Sequence, residues 1–438
     1  MTTDLGLIDT IVILIMENRS FDHMLGYLSL ARYGGRADVN GLRDDQQWLD
    51  RVANSWQGQK YWPIALSEPR IPDPPHERAN IATQMGARDA QGNFALDGFI
   101  ASASGDSDVM NYQTPDQVPM LDFFAKHFRI CDRWFSCLPA STQPNRLMAM
   151  SGYSLIDENK IVLPDQTLAY DWLDNHDVRW RVYHQGVFPF FAMMPSWAPY
   201  TLGESFKGLE HFAIDFQLET DATFPQVIFI EPIYTDAPHE GPEGTDDHSP
   251  SSVFGGQRLM REVYAAMIAN PRRWSRTMLV ITYDEHGGFF DHAQPLVLET
   301  AAPGDRYPVF ETSGLRVPAI IASPLVTAGT CCNLNFDHTS MLKLLGDKFG
   351  RGGGYSPEVD RRAVMSLSEA LDCTSPRVDI PAPPDPAAFA SIAASAQAPA
   401  ANSGPDVDAF KRVLDEAKST DAHGLAAKFP ALRGFLGL

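Results

Sequence analysis

The sequence predicts an α/β protein with a mostly parallel central sheet sandwiched by helices and long loop insertions over its carboxyl edge. Three observations lead there. Short, continuous apolar runs rich in β-branched residues recur along the chain, segments of helical period lie between them, and no internal repeat is evident. Continuous apolar runs suit strands buried on both faces, the situation of parallel strands covered by helices. With 438 residues and 44% hydrophobic content, the chain can bury a large core as one large or two ordinary domains.

Taken in order, strands are expected at "TIVILIM" (10–16), "KIVLP" (160–164), "RWRVYH" (179–184), "QVIFIEP" (226–232), "TMLVITYDE" (277–285) and "VPAIIASP" (317–324). The stretch "GQRLMREVYAAMIAN" (256–270) places Leu259, Val263, Ala266 and Ile268 on one stripe and predicts a helix. Residues 30–115 are rich in Asp, Gly, Pro and Gln with weak periodicity, and these form the expected loop insertions. Beyond Cys373 the composition turns Pro/Ala/Ser-rich. The chain therefore divides into a main domain (1–373), a linker or wrapping arm (374–406) and a helical tail (407–438) expected to carry no chemistry.

Lys+Arg of 35 against Asp+Glu of 55 gives a net charge of −20, which argues against a nucleic-acid groove and against general attraction to anionic membranes. An anionic substrate then needs local positive charge, from a metal ion or a histidine cluster. No apolar run reaches the roughly 20 residues that span a bilayer, so no integral membrane segment is expected. The first apolar run has no basic stretch before it and no small-residue cleavage site after it, and reads as a strand. Five cysteines, with Cys331 and Cys332 adjacent and no CxxC pair, fit neither a disulfide framework nor a zinc site. A cytoplasmic location with reduced thiols is the expectation, or a periplasmic or secreted one if a leader has been removed.

Two strands end in oxygen-rich pairs, Glu17-Asn18 and Asp284-Glu285. Sites in open α/β sheets form outside the carboxyl ends of the strands, so both pairs belong to one edge. Three carboxylates in a low-dielectric crevice take up protons unless a cation sits among them. Hard oxygen ligands favour one divalent ion of the Ca²⁺, Mg²⁺ or Mn²⁺ kind over Zn²⁺. Either pair alone could equally cap a helix. The Gly287-Gly288 turn allows the backbone to leave its strand sharply and to approach a ligand closely.

In "CDRWFSCLPASTQPNRLMAMSG" (131–152), Pro139 and Pro144 bracket Ser141 and Thr142 ahead of a helical pattern. A hydroxyl there faces the positive end of a helix, and a metal could turn it into a nucleophile. An ordinary helix cap is the alternative. His76, His184, His248, His286, His292 and His338 lie in polar, turn-rich contexts. Together on one edge they would supply phosphate contacts and a general acid; singly, each is as readily structural. In "GVFPFFAMMPSW", Phe188, Phe190, Phe191, Met193, Met194 and Trp197 either line a substrate mouth or belong to the core.

With "MENRSFDHMLG", "PASTQPNRL", "TDDHSPSSV", "ITYDEHGGFFDH" and "DHTSMLKLL" in this order, the chain resembles the bacterial and plant phosphoesterase family over most of its length. That family includes non-specific phospholipases C and acid phosphatases and has an alkaline-phosphatase-like fold. The resemblance implies that residues 1–373 form the catalytic domain, and that Glu17, Asn18, Asp284 and Glu285 ligate one metal together with the nucleophile, Thr142. It further implies that His76, His184, His248 and Asn18 bind the phosphoryl group, and that His338 or His248 protonates the leaving alcohol of a phosphothreonine-forming step. The implied substrate is a phospholipid, cut as by a phospholipase C, with transient membrane-surface contact, or else a small phosphate ester as in an acid phosphatase. A non-catalytic lipid- or phosphate-binding protein is the reading from another class. Against the family pattern, no export signal of the kind many relatives carry is read at the start of the sequence, and the tail is short and Ala/Pro-rich where larger phospholipases add β-rich C-terminal domains.

Overall fold

The computed structural model describes residues 3–67, 71–239, 243–389, 405–428 and 433–438. Eight strands form the central sheet: β1 (Thr10–Met16), β2 (Arg129–Cys131), β3 (Trp180–His184), β4 (Phe206–Gly208), β5 (Val227–Glu231), β6 (Thr277–Tyr283), β7 (Ala319–Ala322) and β8 (Thr330–Cys332). Their spatial order is β8-β2-β7-β6-β1-β5-β3-β4. Every residue of β1 and β6 is buried, as their uninterrupted apolar runs require. β1 runs parallel to β5 on one side and to β6 on the other. The exception to parallel order is β7, antiparallel to both β6 and β2.

Helices cover this sheet. Those that matter for the site are α1 (Phe21–Leu25), α2 (Pro119–His127), α3 (Thr142–Ser151), α4 (Phe254–Ile268), α5 (Thr339–Phe349) and α6 (Pro405–Lys428). α2 packs on α4, and α3 packs on α5. The buried side of α4 is formed by Leu259, Met260, Val263, Tyr264 and Met267; of the expected stripe, Ala266 and Ile268 are only partly buried.

Two expectations change. Residues 160–164 form no strand, and Ile161 and Val162 are 49% and 45% exposed. The main chain of Lys160 is instead clasped by a side chain: Gln143 Nε2 donates to its carbonyl at 2.9 Å, and its N–H donates to Gln143 Oε1 at 2.7 Å. Those groups are satisfied without a ladder partner. The three-residue strands β2, β4 and β8 went unanticipated, being too short to show a period.

The described residues of 30–115 contribute no strand to the central sheet; they carry a small hairpin (Asn54–Trp56 with Gln59–Tyr61), three helices (Gln46–Val52, Arg78–Met85 and Phe99–Ser102) and connecting turns. Part of the expected arm, 390–404, lies outside the described residues. Its preceding stretch runs along α4, where Tyr264 and Arg261 donate to the carbonyls of Pro381 and Pro384, each at 2.8 Å. All five cysteines are free thiols. Among the described residues no helix is long and apolar enough to cross a membrane.

Candidate active site

Adjacent parallel strands in register deliver their following residues to the same place. Met16 of β1 pairs with Tyr283 of β6, so Glu17-Asn18 and Asp284-Glu285 leave the sheet side by side. The two loops then interlock. The Asp284 N–H donates to the Met16 carbonyl at 3.1 Å, the Asn18 N–H to Asp284 Oδ1 at 3.1 Å, and the Arg19 N–H to the Glu285 carbonyl at 3.1 Å. Gly287 has φ +64°, and a Cβ added there would lie 2.1 Å from the Asn18 carbonyl oxygen. The expected close approach at this glycine is therefore to the Asn18 backbone.

Thr142 opens α3, with Ser141 preceding it and Gly152 ending the helix in a left-handed conformation. Asn145 folds the preceding turn back by donating to the carbonyls of Leu138 and Ala140 and accepting from the Leu138 N–H. The two hydroxyls then diverge. Ser141 Oγ donates toward Glu77 Oε2 at 3.0 Å and Asn159 Oδ1 at 3.1 Å, whereas Thr142 Oγ1 lies 3.2 Å from Asn18 Oδ1.

The Asn18 side chain joins the parts. One end of its amide lies 3.1 Å from Glu285 Oε1, 3.1 Å from Asp284 Oδ1 and 3.2 Å from Thr142 Oγ1; the other lies 2.9 Å from His248 Nε2 and 3.3 Å from His76 Nε2. With the amide oxygen toward the acids, four oxygen donors converge and repel unless a cation sits among them. With the amide nitrogen toward the acids, it donates to them and the oxygen accepts from the imidazoles. Oxygen spacing near 3 Å and all-oxygen chemistry fit a hard divalent ion, with Asp284 facing the amide through Oδ1 while its Oδ2 faces Arg146 Nε at 3.3 Å. Thr142, Asp284 and Glu285 would hold such an ion, joined by Asn18 in the orientation that turns its oxygen to them and its NH₂ to neutral imidazoles; cationic imidazoles take the opposite orientation and leave the ion to the other three. Glu17, expected with them, turns to Arg146 (3.0 Å) and His248 (3.4 Å).

Arg146, Asp73, Asp236 and Asp246 were not anticipated as site residues. Arg146 sits four residues after Thr142 on α3, hence on the same helix face, and pairs with Glu17 and also with Asp284 at 3.3 Å. That i, i+4 spacing was the available signal. Despite burial, Arg146 and then His248 hold the Glu17 carboxyl below its ordinary range. Burial pushes Asp284 up to about 7 even with Arg146 beside it, and Glu17 and Glu285 add to the shift. Burial and Glu17 likewise push Asp246 up to about 7.

Of the expected histidines, His76 and His248 meet at the site, with ring centroids 5.6 Å apart. Burial opposes their protonation, but Glu285 and Asp73 bring His76 up to about 9, and Asp236 and Asp73 raise His248 well above its ordinary value. His184 stands at the end of β3, level with Glu231 of β5, and its Nδ1 bonds the Gly186 carbonyl at 2.9 Å. β5 lies between it and β1.

His338 differs from the expected proton donor. Its Nδ1 accepts from Trp134 Nε1 at 3.1 Å, so its Nε2 carries the proton and donates to the Asp284 carbonyl at 2.6 Å. Burial lowers it to about 4, and both ring nitrogens are committed to structural bonds.

Two of the three Phe-Asp-His sequences, at 21–23 and 290–292, build a support behind the site. Arg316 bridges Asp22 (3.0 Å) and Asp291 (2.8 Å), and His292 joins Asp22. This acid-histidine group already holds a guanidinium in its centre. His286 links Glu285 (3.2 Å) to Gln84 (2.8 Å). Phe188, Phe190, Phe191, Met193, Met194 and Trp197 are buried, which resolves the alternative for that loop in favour of core.

Charge decides what such a site receives. In a chain of net charge −20, one sheet edge presents two histidines held cationic beside a hydroxyl at a helix N-terminus and an oxygen cradle. A site so built takes an anionic ester. Residues 8–351 match the family model described as "Phosphoesterase family"; the chain belongs to that family and is a phosphoric ester hydrolase. It is 30% identical to non-specific phospholipase C6 of Arabidopsis thaliana over 403 residues, 85% of this chain and 74% of that protein. It is 28% identical to the non-hemolytic phospholipase C of Burkholderia pseudomallei over 453 residues, 87% of this chain and 61% of that protein. Among solved structures, a phosphonate monoester hydrolase of Agrobacterium radiobacter overlaps 78% of this chain and 74% of its own at 10% identity and a TM-score of 0.34.

Proposed function

We propose that the protein is a metal-dependent phospholipase C that works through a phosphothreonine. The observation that carries the reading is Thr142 Oγ1, placed at the start of α3 beside Asn18 with the cationic His76 and His248 across the amide. The Thr142 oxygen, its proton released to solvent, attacks phosphorus in line as the P–O bond to diacylglycerol breaks. His76 and His248 neutralise the remaining phosphoryl oxygens as charge builds on them. His248 gives its proton to the departing alkoxide, and water then cleaves the Thr142 ester to release the phosphorylated head group. A divalent cation, when bound, lowers the pKa of the hydroxyl and offsets charge on a phosphoryl oxygen.

His338 is here a positioning residue that fixes the Asp284 carbonyl. The lipid substrate is supported by the shared phospholipase C name of the plant and bacterial relatives. The oxygen donor set favours Ca²⁺, Mg²⁺ or Mn²⁺. The test is a paired assay, before and after chelation: diacylglycerol release from phosphatidylcholine micelles beside p-nitrophenol release from p-nitrophenyl phosphate. Diacylglycerol release that chelation abolishes is expected; dominant monoester cleavage would make the protein a phosphatase instead.

A further inference from the structure

We infer that Asp406, carried by the C-terminal helix α6, is a positioning residue for Thr142, and that α6 thereby completes the catalytic edge; the inference rests on the hydrolase reading above. The first turn of a helix has N–H groups without intrahelical acceptors, and a side chain at the preceding position ordinarily takes one. Ser141 makes no such bond, because its hydroxyl goes to Glu77 and Asn159. The acceptor comes from outside: Asn159 Oδ1 takes the Gln143 N–H at 2.9 Å.

Asp406 sets that external cap. Its Oδ2 accepts from Asn159 Nδ2 at 3.1 Å, and its Oδ1 accepts from Gln143 Nε2. Gln143 in turn clasps the main chain of Lys160 through both ends of its amide. One carboxylate thus orients the two amides that hold the residues on either side of Thr142. Asp406 is 8% exposed, and Gln143 is fully buried. Burial, with Asp236 and Glu17 nearby, pushes the Asp406 carboxyl up to about 8, so above that pH both of its oxygens accept from the two N–H donors, whereas Asn at 406 keeps the bond from Gln143 but turns an NH₂ toward Asn159 at every pH.

The placement of α6 does not depend on Asp406 alone. Phe410 stacks on Tyr234 with ring centroids 5.7 Å apart, and Arg412 Nη2 donates to the Met193 carbonyl at 3.0 Å. The Tyr234 hydroxyl in turn accepts from Arg146 Nη1 at 3.3 Å. The same helix therefore leans on both supports of the site, the Thr142 turn and the Arg146 guanidinium.

Asp406→Ala, Asp406→Asn and Phe410→Ala in the full chain test this, read by steady-state hydrolysis of p-nitrophenyl phosphorylcholine and by amide exchange across residues 141–151. Because a small misplacement of a reacting group can cost about a hundredfold, Asp406→Ala is expected to lower kcat about 10- to 100-fold with KM within about twofold. Exchange in the first turn of α3 should rise about tenfold, with Asp406→Asn intermediate and Phe410→Ala shifted the same way. Unchanged kcat and unchanged exchange in Asp406→Ala would overturn the inference. A rise in kcat would overturn it too, making α6 a cover to be removed. Should the wild type cleave no phosphate ester, the hydrolase reading fails, while the exchange measurement still decides whether Asp406 braces the turn.

Discussion

Arg146 donates to Glu17 at 3.0 Å while its Nε faces Asp284 at 3.3 Å, so one buried guanidinium neutralises residues that follow two neighbouring strands. It also lies over the Phe190 ring at 4.9 Å and donates to the Tyr234 hydroxyl and the Ile15 carbonyl. Arg146→Met is expected to cost about 3–5 kcal/mol, since it leaves buried acids without their partner. Arg146→Lys should cost less. Denaturant midpoints measure both, and an unchanged midpoint in Arg146→Met would refute the neutralising role.

Thr142 is the proposed nucleophile, with Ser141 turned away from the acids. Thr142→Ala should drop turnover at least a hundredfold, whereas Ser141→Ala should weaken the turn and leave the chemistry in place. Micelle hydrolysis rates decide it; more than about one percent of wild-type rate in Thr142→Ala excludes a phosphothreonine route.

Cation binding should strengthen as pH rises through 7. Burial raises Asp284 to about 7, so the folded state prefers its protonated form. In chelated protein the stabilising contribution of that proton is fully present below the ordinary carboxylate value near 3.8 and is lost as pH rises through 7. Ligand carboxylates must be deprotonated to hold a metal, so the melting-temperature gain on adding Ca²⁺, Mg²⁺ or Mn²⁺ should be larger at pH 8 than at pH 5.5. Equal gains at the two values would count against Asp284 as a ligand.

His76 and His338 should separate in a pH–rate profile. His76, held at about 9, is cationic at neutral pH and loses its proton above that value; its contribution to stability is complete below 6.5 and disappears as pH passes 9. kcat/KM is expected to fall over that same alkaline range. Because His248, the proton donor, is also raised and supplies an alkaline limb of its own, His76→Gln should lower kcat/KM and shift the limb, and His338→Gln should lower stability and leave the limb in place. A limb unmoved in His76→Gln assigns it wholly to another group.

Gly287→Ala should distort the site without touching its chemistry. The position has φ +64°, and the new Cβ would meet the Asn18 carbonyl oxygen at 2.1 Å. A loss of about 1–3 kcal/mol is expected from the strained backbone, together with a fall in kcat as Asn18 moves. Gly304→Ala is the comparison: it also has positive φ, but nothing lies within 4 Å of its Cβ position. If the two variants melt and turn over alike, the contact with Asn18 is not what requires glycine.

Much of the fold was legible because burial on both faces writes continuous apolar runs into the sequence. The runs at 10–16, 179–184, 226–232, 277–285 and 317–324 all contain strands of the central sheet. The run at 160–164 misled because Gln143, a distant side chain, took the bonds that a strand would have made. The antiparallel direction of β7 left no mark either, since its residues are as buried as those of its parallel neighbours.

For the site, the sequence by itself determined the chemical inventory: acid pairs after β1 and β6, a hydroxyl at the start of α3, and histidines in turns. Local pattern suffices for these, because strand ends and helix starts are local features. The tertiary structure alone decided how the inventory was used. It turned Glu17 toward Arg146, bound both nitrogens of His338 in structural bonds, and brought Asp406 from the expected linker to the residue beside Thr142. Those outcomes depend on contacts between segments far apart in the chain, and a hydrogen bond or an ion pair of that kind leaves no periodicity in either partner.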